Sequence, residues 1–207
     1  MASPLPPTPT TFILVIAGTL CAQGCLDTTA IARVLSGDLR PLSPTSRARV
    51  PDPSAGESFN IERGNEGGSS WAHANAVIED TAAAICARLE APNVVNTPAV
   101  AGFSSAPTED GWIITNNIRR AIIRFEFDIT WRVRQLPEAR GCAARWELSR
   151  GPEFLRENRG WLRVSELDTR LAMLEVQHEL NAPRVTPDKA AAYVSLLHER
   201  LAGLTTP

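Results

Sequence analysis

Three histidines are the residues best suited to move a proton, and their neighbours limit what each can do. His73 and Asn75 stand two residues apart, which puts an imidazole and a carboxamide on one face of an extended strand. Turned inward, that pair would orient the polar head of a ligand or donate a proton to it. If Ala72, Ala74 and Ala76 form the inner face instead, the pair faces solvent. His178 shares the side of Ala172, Leu174, Val176 and Leu180, so it is either a satisfied core histidine or a second candidate proton donor. No metal site is expected, because His73, His178 and His198 lack ligand spacing with one another or with carboxylates. The four cysteines, Cys21, Cys25, Cys86 and Cys142, form no zinc set either. Gly-x-Ser-x-Gly, Walker and Gly-x-Gly-x-x-Gly motifs are all absent. No catalytic residue and no cofactor is therefore assigned.

The elements that must position these groups can be read from periodicity. Ala121, Ile123, Phe125, Phe127, Ile129, Trp131 and Val133 alternate with charged and polar residues from Arg120 to Arg134, with Ile122 the one apolar exception. A strand puts all of these apolar groups on one face, whereas a helix would scatter them. Trp71–Ile78 reads as a strand, and Glu79-Asp80-Thr81 opens a short helix that stops before Pro92. Asn93 to Glu109 is weakly patterned, and a strand begins at Gly111. Further strands follow over Cys142–Leu148, Gly160–Leu167 and Arg170–Leu180. Thr186-Pro187-Asp188 then starts a helix in which Ala190, Val194, Leu197 and Leu201, with Tyr193 beside them, recur at helical spacing. The fold class expected is α+β, a curved antiparallel sheet wrapped around one long C-terminal helix. A helix about 10–12 Å wide cannot cover the whole aromatic stripe, so a cavity is expected between the two.

At 207 residues and a formal net charge of −2, the chain has room for one domain with accessory segments and gives no basic face for nucleic acid. Phe12 to Ala22 is an apolar run too short to cross a bilayer, and it closes on Ala22-Gln23-Gly24-Cys25. That ending resembles a bacterial lipobox. Residues 1–25 are accordingly expected to be a signal peptide, with Cys25 acylated as the first mature residue; simple secretion, an uncleaved anchor, and a cytosolic protein with a chance apolar run are the alternatives. Residues 26–70, rich in Pro, Ser and Gly, are expected to be a flexible tether, and 71–207 the ligand-binding domain. The expected location is the bacterial cell envelope, membrane-anchored on the periplasmic side. In such a compartment Cys86 and Cys142 could be bonded or remain as buried thiols.

Several short stretches carry a family resemblance: Arg145-Trp146-Glu147-Leu148, Gly151-Pro152-Glu153-Phe154, Asn158 to Val164 with its Gly160-Trp161, Thr169-Arg170-Leu171, and a proline before the last helix. Together they resemble the SRPBCC superfamily of polyketide cyclases, coenzyme-Q-binding proteins and START domains. The resemblance runs from about Trp71 to Gly203, and Ala91 to Asp110 falls outside it. It implies a helix-grip fold and a cavity for a hydrophobic small molecule or lipid, such as a quinone, sterol or polyketide. The residues expected to line that cavity are Ile123, Phe125, Phe127, Ile129, Trp131, Trp146 and Tyr193, with His73 and Asn75 as its polar groups. Few polar groups converge, which favours a carrier. The alternatives are a cyclase or hydratase using His73 or His178, and a structural envelope protein with a closed core.

Overall fold

The computed structural model describes residues 48–95, 100–120, 123–136 and 140–204. Residues 1–47, and with them the expected signal peptide, Cys25 and most of the tether, lie outside the described residues.

Eight strands form one antiparallel sheet: β1 (Phe59–Glu66), β2 (Ser69–Ile78), β3 (Val100–Thr108), β4 (Gly111–Arg120), β5 (Ile123–Leu136), β6 (Gly141–Arg150), β7 (Glu157–Glu166) and β8 (Ala172–Asn181). Their spatial order is β1-β2-β8-β7-β6-β5-β4-β3. Helix α1 (Ala82–Leu89) connects β2 towards β3, and α2 (Pro187–Leu201) ends the fold. The sheet is curved and grips α2 against its concave face.

The sheet starts earlier than the composition predicts. Residues 59–66, expected in the tether, form edge strand β1 and pair along β2 from Phe59↔Ala76 to Glu66↔Ser69. Their apolar content is low because only one face is needed: Phe59 and Ile61 point inward, and Phe59 stacks on His198 of α2 with ring centroids 4.6 Å apart.

Ala72, Ala74 and Ala76 line the concave face of β2, all buried. Three small side chains in a row let α2 approach closely, and it packs across β1, β2 and β8 through Ala190, Ala191, Val194, Leu197 and Leu201. Each larger side chain so buried contributes about 1.5–3 kcal/mol. Thr186 occupies the N-cap position of α2, as expected, but its side chain makes no capping bond; Pro187 supplies the favoured first-turn geometry, and Asp188 pairs with Arg63 of β1 at 2.8 Å. In α1 the cap is complete, with Thr81 Oγ1 accepting from the Ala84 N–H at 3.1 Å. Arg88 of α1 bonds both Asp80 and the Leu201 carbonyl, tying the two helices together. Cys86 of α1 and Cys142 of β6 form a disulfide, closing one of the two possibilities that the sequence left open.

Candidate functional site

Register across the sheet builds the site. On the concave face one row runs Trp112 (β4), Trp131 (β5), Trp146 (β6), Gly160 (β7), His178 (β8), Ala72 (β2) and Arg63 (β1), each residue directly opposite the next. Trp131 and Trp146 stack at 5.5 Å. Gly160 is the gap in the row. A Cβ there would lie 2.2 Å from Trp146 Cζ2 and 2.3 Å from the Gln177 carbonyl, so only glycine lets the Trp146 ring lean across β7. The ring centroid of Trp146 thereby comes within 5.8 Å of both His178 and Tyr193 of α2, and the latter two rings lie 4.3 Å apart.

The rings of this row differ in how their polar atoms are satisfied. Trp131 donates its Nε1–H to the Leu89 carbonyl at 3.1 Å, at the end of α1. Trp146, 1 % exposed, has no partner for Nε1. His178 Nε2 lies 3.1 Å from Asn158 Oδ1, and its Nδ1 makes no hydrogen bond of good geometry. Five buried side-chain nitrogens lack partners among the described residues, and these two belong to adjacent rings of the same cluster. Burial pushes the His178 pKa down to about 4, and the backbone carbonyl of Ala190 beside the ring works against that. His178 is thus a neutral imidazole at physiological pH. Tyr193 is partly exposed over its whole surface, but its hydroxyl is enclosed by protein, which raises its pKa.

The expected cavity-lining residues divide into three groups. Trp131 (0 % exposed), Ile129, Trp146 and Tyr193 meet on the concave face as expected. Phe127 and Phe125 lie further along β5, away from the strands that α2 packs on, and are only half-buried; Phe125 meets Phe154 edge-on at 5.2 Å, and Phe154 is 43 % exposed. Ile123 begins β5, but its side chain lies outside the described residues.

His73 and Asn75 require correction. They are buried on the opposite, convex face, because the alanines between them take the concave one. There His73 Nδ1 accepts the Ala48 N–H at 2.8 Å, Asn75 Nδ2 donates to the Ala48 carbonyl at 2.5 Å, and His73 Nε2 lies 3.2 Å from Glu175. They hold backbone and do not face the concave site. His178, on the face where the sequence pattern placed it, is the histidine of the candidate site.

A separate cleft of about 500 Å³ opens at the other end of β5, between the first turn of α1, Cys86, Leu136, Gly141 and the Glu166–Thr169 turn. Arg140 and Glu166 bridge there at 3.5 Å. None of the expected cavity-lining residues borders this cleft.

Comparison with solved structures adds one decision. A STAR-related lipid transfer protein from Xanthomonas axonopodis matches with a TM-score of 0.54 at 11% identity, over 70% of this chain and 94% of that one. The lipid transfer and protein localization domain of human StarD13 matches with a TM-score of 0.52 at 10% identity, over 73% and 86%. The chain has the START-type helix-grip fold. No family model and no curated protein matches it. In this helix-grip chain the β6–β7–β8 row, with its glycine gap, brings Trp146, His178 and Tyr193 together.

Proposed function

We propose that this protein binds a hydrophobic small molecule or lipid between its concave sheet face and α2, acting as a carrier in the bacterial cell envelope. The observation carrying this reading is the gradient along β5. Trp131 and Ile129 are sealed, Phe127 and Phe125 are half-buried, and Phe154 beyond them is exposed. A core has no use for such an aromatic ramp towards solvent, whereas an apolar ligand does. The lipid-transfer names carried by the two matched structures agree with that ligand class. Binding is favoured over catalysis because the titratable group in the row, His178, is neutral and sealed, without the convergent acid and base that proton-transfer chemistry requires.

Envelope attachment through an acylated Cys25 belongs to the same proposal. It is supported by the lipobox-like Ala22-Gln23-Gly24-Cys25 and by the Cys86–Cys142 disulfide, which suits an oxidising compartment. The binding arm is tested by titrating the protein with diphenylhexatriene, an apolar fluorophore without oxygen. Saturable binding that weakens in Phe127→Ala is expected, and no binding by the wild type overturns the reading. The attachment arm is tested by fractionating cells that carry Cys25→Ser; unchanged membrane retention and unchanged mass would refute it.

A further inference from the structure

Within the concave ladder of β4 and β5 from Trp112 to Ile118, Asn116 is the one polar side chain, and it stands where the sealed core gives way to the aromatic ramp. One step inward, Ile114 and Ile129 are buried; one step outward, Ile118 and Phe125 are half-buried. Between these pairs Asn116 lies directly opposite Phe103 of β3 and Phe127 of β5, and is 3 % exposed. Its Nδ2 donates to the Ile114 carbonyl at 3.3 Å. That contact fixes the carboxamide orientation, since Oδ1 in the same place would face another oxygen. Oδ1 accepts no hydrogen bond among the described residues and is not one of the sealed orphan atoms, so it keeps an opening on the concave side.

Neither packing nor the backbone accounts for this residue. An isoleucine, as at the positions two places either way, would fill the row without burying an amide. β4 is an interior strand paired on both sides at Ile114, so the Ile114 carbonyl already belongs to the ladder. Asn75, the other buried asparagine of the sheet, differs in that it completes the backbone of Ala48. We infer that Asn116 is the polar contact of the proposed ligand site and selects an apolar molecule bearing an uncharged hydrogen-bond donor, a hydroxyl in particular. A hydroxyl donates to Oδ1 and can accept the second Nδ2 hydrogen, whereas an ether oxygen can only accept. A cationic donor is poorly matched, because the carboxylates of β5, Glu126 and Asp128, stand on the convex face and are paired with Arg150.

This inference rests on the binding reading above, and the experiment separates the two. Diphenylhexatriene bound to the full chain is displaced by 1-dodecanol or by its methyl ether, 1-methoxydodecane, in wild type, Asn116→Leu and Asn116→Ala. The ether is the more apolar competitor, so partitioning alone favours it. Wild type is nevertheless expected to bind the alcohol about three- to tenfold more tightly than the ether. In Asn116→Leu, which keeps the branching of the side chain, that preference is expected to vanish with diphenylhexatriene affinity unchanged. Asn116→Ala is expected to behave likewise and serves if the leucine variant does not fold. Wild type binding the ether as well as the alcohol, or the variants keeping the wild-type preference, overturns the inference while the apolar site stands. No binding of diphenylhexatriene to wild type removes the site itself.

Discussion

Acid should destabilise this fold through His178, and the size of the effect can be worked from its environment. Burial lowers the pKa from 6.5 to about 4. Below pH 6.5 the unfolded chain takes up a proton at this position, while the folded chain does not until about pH 4. Stability is therefore complete above pH 6.5 and falls as pH drops between the two values. The loss amounts to about 2 kcal/mol by pH 5 and about 3 kcal/mol by pH 4. His198, whose pKa burial also lowers, acts in the same direction. Glu179, raised by burial despite Arg159, acts in the opposite one, since its contribution is lost as pH rises through its folded value. Subtraction isolates His178. Urea melts of wild type and His178→Gln between pH 7.5 and pH 4.5 should differ in slope, the glutamine variant losing about 2 kcal/mol less by pH 5. Equal losses in the two proteins would show that the imidazole is already solvated or charged in the fold.

Gly160→Ala places a methyl 2.2 Å from Trp146 and 2.3 Å from a backbone carbonyl; a loss of about 3 kcal/mol or more in a thermal or urea melt is expected, because the carbonyl cannot move aside. Replacing Cys86 and Cys142 together by alanine opens a loop with a sequence separation of 56, which chain entropy values at about 4 kcal/mol; a denaturant midpoint unchanged under reducing conditions would contradict the bond. A chain starting at Ser69 should melt cooperatively but about 3 kcal/mol less stably than one starting at Ala48, because it exposes the edge of β2 and loses Phe59 and Ile61 from α2; equal midpoints would put β1 outside the cooperative unit.

What could be read from the sequence follows from how strongly each face is differentiated. β5 was legible because charged and aromatic residues alternate, leaving one register possible. α2 was legible from its apolar spacing and from Pro187. β1 was not, since an edge strand with two apolar residues, Phe59 and Ile61, has the composition of a linker. β3 was equally obscure, carrying Pro107 and small residues that an edge tolerates. β2 misled for a different reason. Both of its faces are buried, so alternation of alanine with His73 and Asn75 says which residues share a face and not which face is concave. The Trp146–His178 contact depends on the register of three strands, which no local pattern encodes. Its one visible trace is Gly160 inside a strand, a residue that weakens strands and is kept there where something must approach closely.

The misplaced pair turns out to organise the other side of the molecule. Ala48 is the first described residue, and His73 and Asn75 satisfy both its N–H and its carbonyl as a neighbouring strand would, while Arg49 and Glu57 close the turn that leads to β1. The chain therefore joins the domain at the convex face, against β2 and β8. The concave face, with Trp146, His178 and the aromatic ramp of β5, lies on the other side of the same strands. One strand, β2, does both jobs by alternation: its alanines receive α2, and its polar residues hold the incoming segment. That division explains why His73 is fully partnered and His178 is not. The first completes the backbone of Ala48, whereas the second packs between Trp146 and Tyr193 on the concave face.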